Sequence, residues 1–539
     1  MEPSYARIRR RRLVSRTWRG ARECAKVART QPRPRPGLDK EDTGDWMKRR
    51  ALLQAAVGVA ALWPARSLLA QIAAAGGELA AKTLSGAATT LRTADIEGLA
   101  AAIRGQLILP GQDGYDAARR VWNAMIDRRP ALIARCAAPS DVMQVVNFAR
   151  ERQLLTAVRC GGHSQSGKST CDGGIVIDLS PMQSVRVDAK AKLARVEGGA
   201  LLRHLDRETR AFGLVTTAGT VSHTGVGGLT LGGGLGRVGR RFGLACDNLR
   251  SVDVVTADGR LVTASDAENS DLMWGLRGGG GNFGVATSFE FNLHPMDPIV
   301  VAGDVAWPYS KAREALRNFA EFSSKAPDEL NLDIGTVMTP DGQLMIASEL
   351  VWSADHAAGE RVMAPYRSFS SPVMDTVRAL PYTDVQSSHD KFLENGIRDY
   401  RKSGFLTELN DHTIDALLET LAAAPPGLVR MTFQQAGGAI GRRAIDATAF
   451  PNRDARYWVA LASSFKDPSE DEARIAAVRE AWKPIEPLTR GFYVNAMTED
   501  MYAKVDANYG PNYPRLAQLK RKYDPGNQFR LNANVVPAA

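Results

Sequence analysis

Arg159-Cys160-Gly161-Gly162-His163-Ser164 sits between two short apolar runs, residues 156–160 and 175–179, each of which reads as a buried strand. Glycine has no Cβ, so a loop of this kind lets backbone N–H groups converge on a phosphate. A second cluster follows: Gly219, Gly225, Gly227, Gly228, Gly232, Gly233, Gly234 and Gly236. One glycine loop can be a tight turn with no ligand. Two in one segment, bracketed by buried strands, point to a dinucleotide.

Upstream, Ser140 reads as the N-cap of a helix over 140–152, with Val142, Val145, Val146 and Ala149 on one face. Downstream, 184–188 and 193–197 alternate as a hairpin, and a helix runs from about Leu201 to Gly213. Asp258-Gly259 joins strands at 252–257 and 261–264. Residues 273–276 read as helix and 283–293 as strand. Hairpins and helices mixed in this way predict α+β layers and disfavour a Rossmann series. From about residue 300 to 490, helices such as 414–423 alternate with strands such as 429–434, which marks a second domain. A helix at 515–522, a turn at Tyr523-Asp524-Pro525-Gly526-Asn527 and a tail close the chain.

A chain of 539 residues is too long for one ordinary core, and two domains are expected. The net charge of +10 is concentrated at the start. The first 50 residues hold 16 of the 69 Lys and Arg and 6 of the 59 Asp and Glu, so the remainder carries 53 of each. That neutral body pairs no basic stripe with aromatics, which argues against a nucleic-acid partner. Residues 1–46 read as disordered or as an over-extended gene start. Residues 47–75 run from Met47-Lys48-Arg49-Arg50 through an apolar stretch at 51–63 to small residues, the layout of a secretory signal of twin-arginine or ordinary type. About 13 apolar residues fall short of the roughly 20 needed to span a bilayer, so cleavage, a periplasmic or secreted product and no lasting membrane anchor are expected. Cys136, Cys160, Cys171 and Cys246 have no metal-ligand spacing, and no metal is expected. An exported chain can form disulfides, and whether Cys160 pairs with Cys171 stays open.

Five ordered strings together resemble the berberine-bridge-enzyme-like oxidoreductases of the vanillyl-alcohol-oxidase/PCMH superfamily. They are residues 159–164, Gly173-Gly174-Ile175-Val176-Ile177-Asp178-Leu179-Ser180, Gly225-Val226-Gly227-Gly228-Leu229-Thr230-Leu231-Gly232-Gly233-Gly234, Gly243-Leu244-Ala245-Cys246-Asp247-Asn248, and Leu276-Arg277-Gly278-Gly279-Gly280-Gly281-Asn282-Phe283-Gly284. Asn508-Tyr509-Gly510, Arg515-Leu516, Lys520, Tyr523-Asp524-Pro525 and Asn532 match the family's C-terminal motif. The resemblance implies a two-subdomain PCMH-type FAD-binding domain at 95–298, an α/β substrate domain with an antiparallel sheet at 299–495, and a segment at 496–539 that returns to the FAD domain. It implies FAD bonded covalently through His163, of the bacterial, singly attached kind. Val158, Arg159, Cys160, Gly161, Gly162, Ser164, Gly167 and Ser169 would surround the diphosphate. Gly225, Val226, Gly227, Gly228, Val285 and Asn495 would contact the cofactor further along, with valine at 226 favouring reaction with oxygen.

Two positions depart from the pattern. Many relatives add a cysteinyl bond from a residue four before the second glycine loop, and here that residue is Val221. Alcohol-oxidising relatives end in Tyr-x-Asn-Tyr, whose last tyrosine takes a proton, whereas this chain reads Tyr493-Val494-Asn495-Ala496. Alanine cannot take a proton, so either another group does or the substrate is an amine that needs none. Tyr493 and His223 are the candidate catalytic residues, His223 equally readable as structural; Tyr382, Asp384, Tyr400 and Lys402 are weaker ones. The expected activity is hydride transfer from a small alcohol, hemiacetal or amine carbon to flavin N5, with O2 as acceptor and H2O2 as product. Another acceptor, or a flavin protein that has lost catalysis, stays open, and oligomeric state is unread.

Overall fold

The computed structural model describes residues 77–539, so the readings for 1–46 and for the signal at 47–75 lie outside the described residues. The chain is a mixed α+β protein whose strands form three main sheets. Among the described residues no helix is long and apolar enough to cross a membrane.

The first sheet places Gln106–Ile108, Leu132–Arg135, Ile175–Asp178 and Thr156–Arg159 side by side. Leu132–Arg135 and Thr156–Arg159 both run parallel to Ile175–Asp178, and the helix Pro139–Glu151 connects them. This parallel corner was not expected from a hairpin-rich pattern. Leu132–Arg135 is almost wholly buried, so it lacks the alternation that betrays a strand. The helix also begins at Pro139, capped by Ala138. Proline needs no partner for its missing N–H at the first helical position, which moves the N-cap two residues, from Ser140 to Ala138.

The second sheet, in the order Leu261–Ser265, Leu249–Val255, Val285–Asn292, Leu193–Glu197 and Val185–Asp188, is antiparallel throughout and contains both expected hairpins. From Ile299 onward the strands belong to a third, eight-stranded antiparallel sheet. Its strands Arg398–Leu406, Tyr457–Phe465 and Arg430–Gln435 are neighbours, with Phe405 opposite Trp458 and Trp458 opposite Gln434. Directly opposed residues share a face, and successive residues alternate faces. One face, with Tyr400, Leu406, Phe433, Tyr457 and Leu461, packs on the helices Ala312–Lys325, Asp411–Ala423 and Asp471–Trp482. The other, with Phe405, Trp458 and Ala460, joins the core of the second sheet and of the C-terminal segment. Two buried ion pairs hold this join. Arg453 meets Asp247 with two nitrogens at 2.7 and 2.8 Å, and Arg237 meets Glu349 at 2.8 Å.

Candidate active site

The two glycine loops cross where the first and second sheets meet. Gly161 and Gly225 touch backbone to backbone: a Cβ on Gly161 would lie 2.8 Å from Gly225 Cα, and one on Gly225 would lie 2.5 Å from Cys160 Sγ. Gly162 and Gly167 have φ of +67° and +69°, and a Cβ on Gly167 would strike Ile126, so these turns need glycine for both reasons. Beyond the crossing, the backbone N–H groups of residues 162–166 donate to no acceptor among the described residues. Ser169 Oγ and Asn532 Oδ1 nearby are buried and also unpartnered.

These groups border a cavity of about 360 Å³. Its walls are the glycine loops, residues 280–281 with the C-terminal Asn532, and the open face of the third sheet through Arg401, Gln434 and Trp458. Lys168 and Arg401 are the cations on the wall, and among the described residues no Asp or Glu lines it. Arg401 donates from Nε to the buried Asp399 at 2.8 Å, which leaves its terminal nitrogens for the cavity. Trp458 Nε1 is a buried donor with no partner. A run of unpaired N–H groups beside a lysine suits a diphosphate. An apolar mouth with a few convergent donors suits a small organic substrate.

The FAD-binding-domain family model matches residues 130–265, and the berberine and berberine-like model matches 492–536. An FAD-linked oxidoreductase of Dictyostelium discoideum is 33% identical over 441 residues, 81% of this chain and 95% of that protein. The chain belongs to the berberine-bridge-enzyme-like FAD-linked oxidoreductases. The (R)-6-hydroxynicotine oxidase of Paenarthrobacter nicotinovorans is 31% identical across 81% of this chain and 97% of its own length. The solved structure of 6-hydroxy-D-nicotine oxidase from Arthrobacter nicotinovorans overlays with a TM-score of 0.75 at 30% identity, covering 81% of this chain and 98% of that one. The protein is thus an FAD-dependent oxidoreductase, and the unpaired N–H run with Lys168 fits the FAD diphosphate.

In this berberine-bridge-like site Val158, Cys160, Gly161, Gly162, His163, Ser164 and Ser169 all line the cavity, as do Gly225, Gly227, Gly228, Tyr493 and Asn495. Arg159, Gly167, Val226, Val285 and His223 do not. Arg159 turns away to the carbonyl of Ala118, and Val226 and Val285 pack into the cores of the second and first sheets. Cys160 and Cys171 are free thiols, and burial pushes the Cys160 thiol up to about 11, so it stays protonated. Burial, then the neighbouring His223 and Arg401, push His163 down to about 3, which keeps its ring neutral. Val221 also lines the cavity.

The proposed catalytic pair is placed differently from expectation. The Tyr493 hydroxyl accepts from the N–H groups of Gly234 and Leu235 at 3.1 and 3.0 Å and from Asn495 Nδ2 at 2.9 Å. Burial raises its pKa, so it pins the glycine loop and is poorly placed to take a proton. His223 does not face the cavity but bonds to His163. Tyr400 and Lys402 lie on the helix side of their strand, where both reach Asp500, and the residue between them, Arg401, is the one that faces the cavity. Tyr382 and Asp384 belong to the helix Tyr382–Ser387, away from it. Arg401, Gln434 and Trp458 were missed because strand parity cannot be read until the pairing is known. The apolar partners of the neighbouring positions were the available signal.

Proposed function

We propose that the protein removes hydride from the carbon of a small, uncharged amine, with FAD held through His163 and dioxygen as the final acceptor. The observation that carries this reading is the missing base: Ala496 lines the cavity, Tyr493 is already bonded to three donors, and among the described residues no carboxylate lines it. An alcohol or hemiacetal must lose its hydroxyl proton as hydride leaves, whereas a neutral amine need not.

When bound, FAD supplies the two-electron acceptor at N5. Residues 162–166 and Lys168 would hold its diphosphate, and His163, within that run, would be its covalent anchor. Arg401, Gln434 and Trp458 face the bound substrate and orient it, while Trp122 and Leu393 on the wall help exclude water. The 6-hydroxynicotine oxidase supports both the nitrogenous substrate and the oxidase reading by its name. Export through residues 47–75 is proposed with it, and is checked by finding the mature chain in the periplasmic fraction.

The test is anaerobic reduction of the bound flavin by panels of amines, alcohols and sugars. Amines should bleach it, at a rate that rises with pH along a limb that follows each amine's own pKa. Reduction by sugars or alcohols alone would end the amine reading, and no reduction by any panel would favour a lapsed enzyme. Admission of air should then restore the colour with one H2O2 per flavin; a colour that stays bleached would point to another acceptor. Trp458→Phe removes an unpartnered buried N–H, so melting should be unchanged or slightly higher, while KM rises roughly tenfold from the lost hydrogen bond. An unaltered KM would remove Trp458 from the substrate contacts.

A further inference from the structure

His163 Nε2 lies 2.7 Å from His223 Nδ1, and the rings are 4.7 Å apart at 44°. Trp122 stacks on His163 at 5.0 Å and 18°, which restrains that ring from turning. The hydrogen between the two nitrogens can belong to either ring, and the surroundings of His223 decide which. Its Nε2 is buried with no aligned partner among the described residues. The backbone group that acts on the His223 ring belongs to Leu393, whose carbonyl also accepts from Trp122 Nε1 at 2.7 Å; with Nδ1 engaged by His163, its influence falls on Nε2. A carbonyl only accepts, so a neutral His223 carries its hydrogen on Nε2 and turns the lone pair of Nδ1 toward His163. His163 must then be the donor. Its hydrogen sits on Nε2, and its Nδ1 is bare.

We propose that His223 is the positioning residue for flavin attachment: it fixes His163 in the tautomer whose Nδ1 is nucleophilic and accepts the Nε2 proton once the bond has formed. This rests on the covalent reading above. The new bond joins His163 Nδ1 to the 8α-methyl carbon of the flavin, and one C–H bond of that methyl breaks. The methyl proton leaves to solvent, and the C–H electron pair reduces the isoalloxazine by two electrons. Dioxygen removes that pair and becomes H2O2. Alkylation at Nδ1 leaves the imidazole charged until Nε2 loses its hydrogen, and His223 Nδ1 is in place to receive it. Both rings are kept neutral beforehand by burial. Arg203 adds to this at His223, Asp390 opposes it, and Arg401 adds to it at His163. Asp390 itself is bonded to Ser222 N and Oγ at 2.9 and 2.5 Å, so it holds the loop beside His223.

The experiment precipitates purified full-length protein with acid and reads retained flavin by absorbance and by fluorescence in a denaturing gel. Wild type should keep its flavin, and His163→Ala should bind FAD yet release all of it. His223→Leu should also bind FAD but retain roughly a tenth or less of the wild-type covalent share, by analogy with the tenfold or greater loss when the orienting partner of a metal-ligating histidine is removed. His223→Asn places Oδ1 where Nδ1 accepts, and should restore most of it on incubation with FAD in air. Attachment as complete in His223→Leu as in wild type, or as poor in His223→Asn as in His223→Leu, would overturn the proposal. If His223→Leu yields no flavin-binding protein, pH decides. Attachment in wild type should fail in acid, where a protonated His223 cannot accept, and His223→Asn should not show that fall. An equal fall in both overturns the proposal. Flavin released from wild type, or retained by His163→Ala, would instead sink the covalent reading and this proposal with it.

Discussion

Gly161→Ala is expected to yield a protein with less than about a tenth of the wild-type FAD and a lower melting temperature, whereas Gly228→Ala should lose FAD affinity with melting unchanged. The added methyl on Gly161 meets Gly225 Cα at 2.8 Å and Leu201 Cδ2 at 3.1 Å. Backbone cannot swing aside as a side chain does, so the two loops must part. Overpacking of this kind costs about 1–3 kcal/mol. The separation also opens the floor on which the unpaired N–H groups of residues 162–166 stand. A methyl on Gly228 meets no protein atom within 4 Å, although Gly228 lines the cavity. The space it would fill is therefore the ligand's. Full FAD occupancy in Gly228→Ala, measured by flavin absorbance per chain, together with an unchanged melting point in Gly161→Ala, would refute this account of the loops.

The contrast between these glycines marks where sequence could be read and where it could not. Both loops, the two hairpins and the helix after Leu201 announce themselves through local chemistry: glycine runs, Asp258-Gly259 and period-two alternation. The strands Glu78–Lys82 and Ala88–Arg92 are short and half exposed, and Leu132–Arg135 is buried without alternation, so none carries a distinctive pattern. The substrate wall was hidden for another reason. Tyr400, Arg401 and Lys402 are all polar, so burial pattern cannot say which points inward. Only the opposition of Phe405 to Trp458, set by pairing strands far apart in sequence, settles it. The histidine pair was legible as two residues but not as a pair, since 60 residues separate them and their contact depends on two loops folding together. That dependence also explains why His223, read as a base from its closeness to the glycine loop, turns out to address His163.

Asp524→Ala should cost about 3–5 kcal/mol at neutral pH, because it leaves the fully buried Lys520 without its counter-ion. Lys520 Nζ donates to Asp524 at 2.8 Å and to the carbonyls of Asn282 and Phe529 at 2.8 and 2.9 Å. Asp524 in turn accepts from the N–H groups of Gln528 and Phe529. Asn282 is bonded to Ala533 and Val535, so this one cluster stitches the C-terminal tail to the glycine loop at 280–281 that lines the cavity. Loss of FAD retention should therefore accompany the loss of stability. Burial lowers Lys520 to about 8 from an ordinary 10.5. A lysine depressed in the fold sheds its proton before the unfolded chain does, so folding stability from this group rises as pH climbs from about 8 toward 10.5. A neutral amine needs no counter-ion, so the deficit of Asp524→Ala should shrink at about pH 9.5 relative to pH 7. Lys520→Met with Asp524→Leu removes both charges and should be less damaged than Asp524→Ala alone. Chemical denaturation at the two pH values checks each step. A deficit under about 0.5 kcal/mol at pH 7, or one that grows with pH, would show that the buried lysine does not hold the tail in place.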